Sequence, residues 1–110
     1  MNPTAAPIDS TLTATPESHD PINEVTPWEI GKSYLIRTVT MTQVGRLIAV
    51  YPQELLLESA SWIADTGRFY TALTTGRLNE VEPFLGRVIV GRGSIVDATI
   101  WTHDLPSAQK

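Results

Sequence analysis

The chain has 110 residues, no cysteine and a formal net charge of −4. A domain of that length buries only roughly 60–65% of the surface its unfolded form exposes, so its own core is marginal. Without cysteine there is no disulfide, no thiolate metal site and no cysteine nucleophile. Association with further copies is then the remaining way to bury surface, and a homo-oligomer is expected. No stretch approaches the ~18 apolar residues of a membrane span, and no basic region followed by an apolar run opens the chain. An unexported, cytoplasmic protein with no membrane partner is the expectation.

Residues 1–26 read as an acidic, Pro- and Thr-rich arm. Pro3, Pro7, Pro16 and Pro21 interrupt any regular element, and Ile8, Leu12, Ile22 and Val25 are too few to drive collapse. Asp9, Glu17, Asp20 and Glu24 are not balanced by any base in the arm, whereas residues 26–110 hold eight acids and eight bases. The folded part is thus neutral and has no whole-domain attraction to phosphate. Two readings of the arm stay open. It is disordered, or it orders on a neighbouring subunit with Ile8 and Leu12 seated in grooves.

The domain is expected over residues 27–102. Tyr34 to Val44 alternates Thr38, Thr40 and Thr42 against Val39 and Met41, the period of a strand with a hydroxyl face. Gly45 interrupts that pattern and marks a bulge or bend. Leu47 to Val50 is a second apolar run, closed by a turn at Tyr51-Pro52-Gln53. Leu55-Leu56-Leu57 continues as a third strand through Ser59, apolar on both faces. Residues 61–77 form an insert with a short helix near 66–75. Asp65 or Thr66 is its cap, Phe69, Ala72 and Leu73 share one face, and Gly76 ends it. Leu78 to Phe84 contains Pro83 and fits an edge strand. Val88 to Val90 and Ile95 to Trp101 are two short strands pivoting about Gly91 and Gly93. Residues 103–110 are a polar tail. The fold class is all-β, a small five-stranded barrel of the Sm-like or SH3-like kind with one short helix.

Two stretches resemble the Sm-like superfamily, which includes the Hfq proteins. Gly45-Arg46-Leu47-Ile48-Ala49-Val50, the turn from Tyr51 to Glu54, and Leu55-Leu56-Leu57-Glu58-Ser59-Ala60 are similar to its first motif. Val90-Gly91-Arg92-Gly93-Ser94-Ile95-Val96 is similar to its second, with an extra glycine before the arginine. The resemblance implies strand-edge pairing between subunits in a ring. It also offers a rival function, RNA binding. Tyr51 and Leu55 stand where that family commonly carries the Asp or Asn that reads bases, which argues against the rival. The stretch Ser61 to Phe69, with Val81-Glu82-Pro83-Phe84 and Val90 to Gly93, resembles a group of short uncharacterised phage and bacterial proteins. A phage assembly part, with the virion as its location and other phage structural proteins as partners, is one setting this implies.

Asp65-Thr66-Gly67 resembles the catalytic triplet of retroviral-type aspartic proteases, in which two carboxylates share a proton across a dimer axis. Only 21 residues separate Thr66 from Val88, too few for a flap hairpin and its strands, and Arg68-Phe69-Tyr70 favours a helix. This reading ranks last, and no catalytic residue is assigned. His19 and His103 have no nucleophile or carboxylate cluster beside them, so no metal or other cofactor is expected. Glu80 and Glu82 fit exposed positions on an edge strand. Six of the seven glycines precede a base, which sets the cations at turns and bends. Arg92 with Gly93, Arg46 and Arg87 are the candidates for anion or nucleic-acid contact. The competing reading pairs each arginine with a nearby carboxylate. Trp62, Phe69 and Leu73, with Ile8 and Leu12, are the candidates for contacts between subunits. Trp28 and Trp101 are expected in the core.

Overall fold

A computed structural model describes Pro21 and residues 25–110 of the chain. The elements in order are β1 (Ser33–Thr38), β2 (Thr42–Val50), β3 (Glu54–Asp65), α1 (Phe69–Thr75), β4 (Glu80–Pro83), β5 (Val88–Gly91), a 3₁₀ turn (Arg92–Ser94) and β6 (Ile95–Ile100). They form a six-stranded antiparallel sheet in the order β4–β3–β2–β1–β6, with β5 also paired to β3. The fold is mostly β with one short helix, as expected. Among the described residues it has six strands in an open sheet, where the sequence reading expects five closing into a barrel. No ladder joins β5 to β6 among the described residues.

The stretch 34–44 is a hairpin and not one strand. Thr38 makes the reversal: its backbone N–H donates to the Met41 carbonyl at 2.8 Å, and its Oγ1 accepts from the Met41 N–H at 3.1 Å. A threonine side chain that bonds the backbone locally favours a turn over a continued ladder. Gly45 does mark a bulge, since the β2–β3 register shifts between Val44 and Arg46, but β2 runs through it unbroken. The close approach explains the residue: a Cβ at Gly45 would lie 2.8 Å from Ala60 Cβ. On the facing strand Ser59 takes φ 51°. This bends β3 without ending it, so β3 continues to Asp65, past the expected end at Ser59. Residues 61–65 of the expected insert therefore belong to the sheet, and Ser61 and Ile63 are buried.

The helix is shorter than 66–75, and its cap differs from the expected one. Arg68 is the N-cap, in an extended conformation and with no side-chain cap bond. The Asp65 carboxylate instead accepts the Gly67 N–H at 2.8 Å, which holds the turn before the helix. Gly76 ends the helix in the left-handed region, φ 78°, with its N–H on the Ala72 carbonyl. β4 is an edge strand at Pro83, as expected.

Curvature follows from the contacts of the 3₁₀ turn. The Val39 N–H, before β2, donates to Ser94 O at 3.0 Å, and the Arg92 N–H donates to Gln53 O, after β2, at 2.9 Å. A straight nine-residue strand would hold its two ends about 30 Å apart. A three-residue turn that touches both ends requires a strongly curled sheet.

The curl creates an inner and an outer core. Tyr34, Ile36, Leu47, Val50, Leu55, Leu57, Ala60 and Val90 pack inside, with Trp28 against them. Leu35, Val44, Ile63, Ala72, Leu78, Val81 and Trp101 pack on the other face, with Leu105. Full burial of each such Leu or Ile contributes roughly 1.5–3 kcal/mol. The polar tail expected over 103–110 is in fact packed. His103 Nε2 lies 2.8 Å from the Leu73 carbonyl, and the Trp101 indole N–H donates to Asp104 O at 3.2 Å. Val81 and Lys110 exchange two backbone hydrogen bonds at 2.9 Å, so this segment lies along the outer edge of β4.

Candidate functional site

The arginines divide by partner. Arg46 faces Glu58 across the β2–β3 ladder, and its Nε–H donates to Glu58 Oε2 at 2.8 Å. Arg87 is exposed in the loop before β5. The pairing of Val88 with Leu57 sets it beside the row that holds Glu58. Arg92 begins the 3₁₀ turn at the opposite end of β5. Its Nη1–H donates to the carbonyls of Tyr51, at 2.9 Å, and Pro52, at 3.3 Å. The guanidinium therefore latches the 92–94 turn onto the 51–53 turn. Gly93 has open space where a Cβ would stand. The structure thus pairs Arg46 with Glu58 on the β2–β3 ladder, sets Arg87 exposed in the loop before β5, and places Arg92 and Gly93 at the other end of that strand.

Sequence reasoning missed Arg37 and Asp97. They face each other across the β1–β6 ladder and form a two-pronged pair, Nε to Oδ1 at 2.8 Å and Nη2 to Oδ2. The hydrogen bond from Arg37 holds the Asp97 carboxyl below its ordinary range, and the same bond raises Arg37. The Arg37 guanidinium carbon also lies 5.2 Å from the centre of the Phe69 ring. Phe69, expected to bind another subunit, is thereby set over β1 of its own chain. Leu73 is half-buried, and its carbonyl is the partner of His103. Trp62 lies on β3 opposite Gln43 and Glu82 and is 38% exposed. Ile8 and Leu12 lie outside the described residues.

Among the described residues both sides of the gap between β5 and β6 are unpaired sheet margins: β5 pairs there only with β3, and β6 only with β1. Apolar side chains stand open along them: Ile89 is 68% exposed, Val96 65% and Ile100 38%. Val96 is pushed out by a register shift, since Arg37 and Thr38 pair with Asp97 and Ile95 and skip it. Each margin adjoins a hollow. Beside β5 a hollow of about 250 Å³ is lined by Tyr51, Glu54, Leu55, Leu56 and Ile89. Beside β6 a groove of about 450 Å³ runs between that strand and Pro27, Trp28 and Glu29. The glycine pair about Arg92 was the legible signal for these margins, because it marks where one strand breaks into two. Their openness was not legible.

Among the described residues no cluster of His, Asp or Glu is arranged to hold a metal ion, and no helix is long and apolar enough to cross a membrane. No family model, curated protein or solved structure matches the chain.

Proposed function

We propose that this chain is a non-enzymatic assembly module that joins copies of itself margin to margin, β5 of one copy pairing with β6 of the next. The carrying observation is that two unpaired strand edges, each bearing exposed apolar side chains, flank a single turn. Unpaired edges are templates for further pairing unless a protein blunts them with charge, proline or cover. β5 and β6 carry only one charged residue between them, Asp97, and Arg37 neutralises it. A contact between two different edges is head to tail, and it closes into a ring when the rotation per copy divides the circle. The curled sheet and the 3₁₀ turn between β5 and β6 support the reading of the unit as a small Sm-like barrel.

Arg46, held by Glu58, and Arg92, held by two carbonyls, favour assembly over the RNA-binding reading, since both already have partners in their own chain. Sedimentation velocity at micromolar concentration tests the proposal. The wild-type chain is expected to sediment as a closed oligomer, and Ile89→Lys with Val96→Lys as a folded monomer. A monomeric wild-type chain overturns it.

A further inference from the structure

The outer edge of β4 is covered by the chain itself. Val81 donates its N–H to Lys110 O and accepts from the Lys110 N–H, both at 2.9 Å. Two residues that exchange both bonds form one rung of an antiparallel ladder. Between Trp101 and that rung the segment is held at three points. His103 Nε2 lies 2.8 Å from Leu73 O, the Trp101 indole N–H donates to Asp104 O at 3.2 Å, and Leu105 packs on the outer core. Residues 107–110 are exposed. A hollow of about 430 Å³ is lined by Gly76, Leu78, Val81 and residues 104–110.

We infer that residues 103–110 are a strap that shuts β4 off from strand pairing with other copies, leaving β5 and β6 as the edges that join. The shielding is a property of the single chain. Its consequence rests on the assembly reading.

Two observations carry it. The first is the direction of the β4 backbone. Phe84 donates its N–H to Ala60 O on β3. Backbone groups of alternate residues point to the same side of a strand. Glu82 therefore turns toward β3 as Phe84 does, while Val81 and Pro83 turn outward. Proline has no N–H to donate. Val81 is thus the outward residue of β4 able to make a full rung with a second chain, and Lys110 already occupies it. The second observation is what lies beneath. Val81 is 2% exposed and Leu78 3%, and both line the hollow under the strap. Lifting the strap lays apolar side chains open beside an unmade rung, the template for pairing that a covered edge avoids. No comparable backbone segment lies on the outer edge of β5 or β6 among the described residues. The strap is fastened at single residues, so it opens locally without unfolding the sheet.

Amide hydrogen exchange read by nuclear magnetic resonance, with sedimentation velocity of the same full-length samples, tests the strap. Lys110→Pro removes the N–H that Val81 O accepts. Leu105→Asp removes the apolar anchor without touching the rung. Each variant is expected to speed exchange at the Val81 amide by about tenfold or more, with the amides of Leu35 and Ile36 inside the sheet unchanged. Each is also expected to sediment as species larger than the wild-type oligomer. Faster exchange at Val81 in Lys110→Pro with the wild-type size retained shows that β4 needs no shield and overturns the inference. Growth in Leu105→Asp alone assigns it to exposed core and does the same, as does a Val81 amide that neither variant speeds. Where Leu105→Asp loses protection at Leu35 and Ile36, Lys110→Pro carries the test by itself. A wild-type monomer removes the assembly proposal and leaves the strap to the variants. Association on release then upholds it, and monomers throughout overturn it.

Discussion

His103 occupies the space that a side chain at residue 76 would need: a Cβ built on Gly76 would lie 2.6 Å from His103 Cγ. The two residues fasten the end of α1 to the segment that follows β6. Gly76 serves twice, once for its positive φ and once for its lack of a side chain. His103 serves through its bond to Leu73 O and its edge-to-face contact with Trp101, 5.0 Å between centroids.

Gly76→Ala is therefore expected to cost about 2–4 kcal/mol, combining the left-handed strain of a non-glycine residue with the overlap on His103. Urea unfolding followed by tryptophan fluorescence measures it. Adding His103→Gly, which also takes away the His103 Cβ that would lie 2.7 Å from the new side chain, removes the overlap and is expected to recover part of the loss, leaving the backbone strain.

Gly45→Ala is expected to destabilise by about 1–3 kcal/mol, because its Cβ would press on Ala60 across the β2–β3 bulge. Gly45→Ala with Ala60→Gly relieves that contact. A double variant no more stable than the single one would show that the loss arises elsewhere.

Arg92→Ala is expected to lower stability by about 1.5–3 kcal/mol, the worth of hydrogen bonds made by a charged donor. It is also expected to weaken assembly, since the latch to Tyr51 and Pro52 fixes how β5 turns into β6. Thermal unfolding and sedimentation read the two effects. The RNA-binding reading instead requires an RNA affinity that falls steeply with salt and disappears with this substitution.

Asp97 sets an acid limit on stability. Its carboxyl is held below the ordinary range by Arg37 in the folded chain. The stabilisation is thus complete above the unfolded value of about 4 and is lost as pH falls through the lower folded value. Asp97→Asn is expected to lower stability slightly at pH 7, the pair being exposed and screened by salt, and to flatten the profile below pH ~4, where the parent chain loses that same small contribution. Urea midpoints measured across that range give the slope.

Features set by single residues were legible in the sequence. Gly76 at the helix end, the bulge at Gly45 and the edge strand at Pro83 each follow from one residue's conformational limits. Features set by distant partners were not. Thr38 and Met41 close a hairpin inside a pattern that alternates like one strand. Ser59 bends β3 through a positive φ that serine seldom takes, so the residue pattern does not carry the strand past it. His103 and Leu105 sit among polar residues, and only the helix and Trp101 beneath them create their packing. The Arg37–Asp97 pair joins positions 60 residues apart, with no glycine beside either to draw notice. For the site, the glycines around Arg92 indicated the break between β5 and β6, but an edge left without a partner is a property of the assembled sheet.

Two single-cysteine chains give the most direct test of margin-to-margin assembly. Ile89→Cys and Val96→Cys are prepared separately and oxidised alone and as a mixture. Pairing of β5 with β6 is expected to yield disulfide-linked chains abundantly in the mixture and scarcely in either sample alone. Cross-linking confined to one variant by itself, or no cross-linking at all, would rule out the head-to-tail contact.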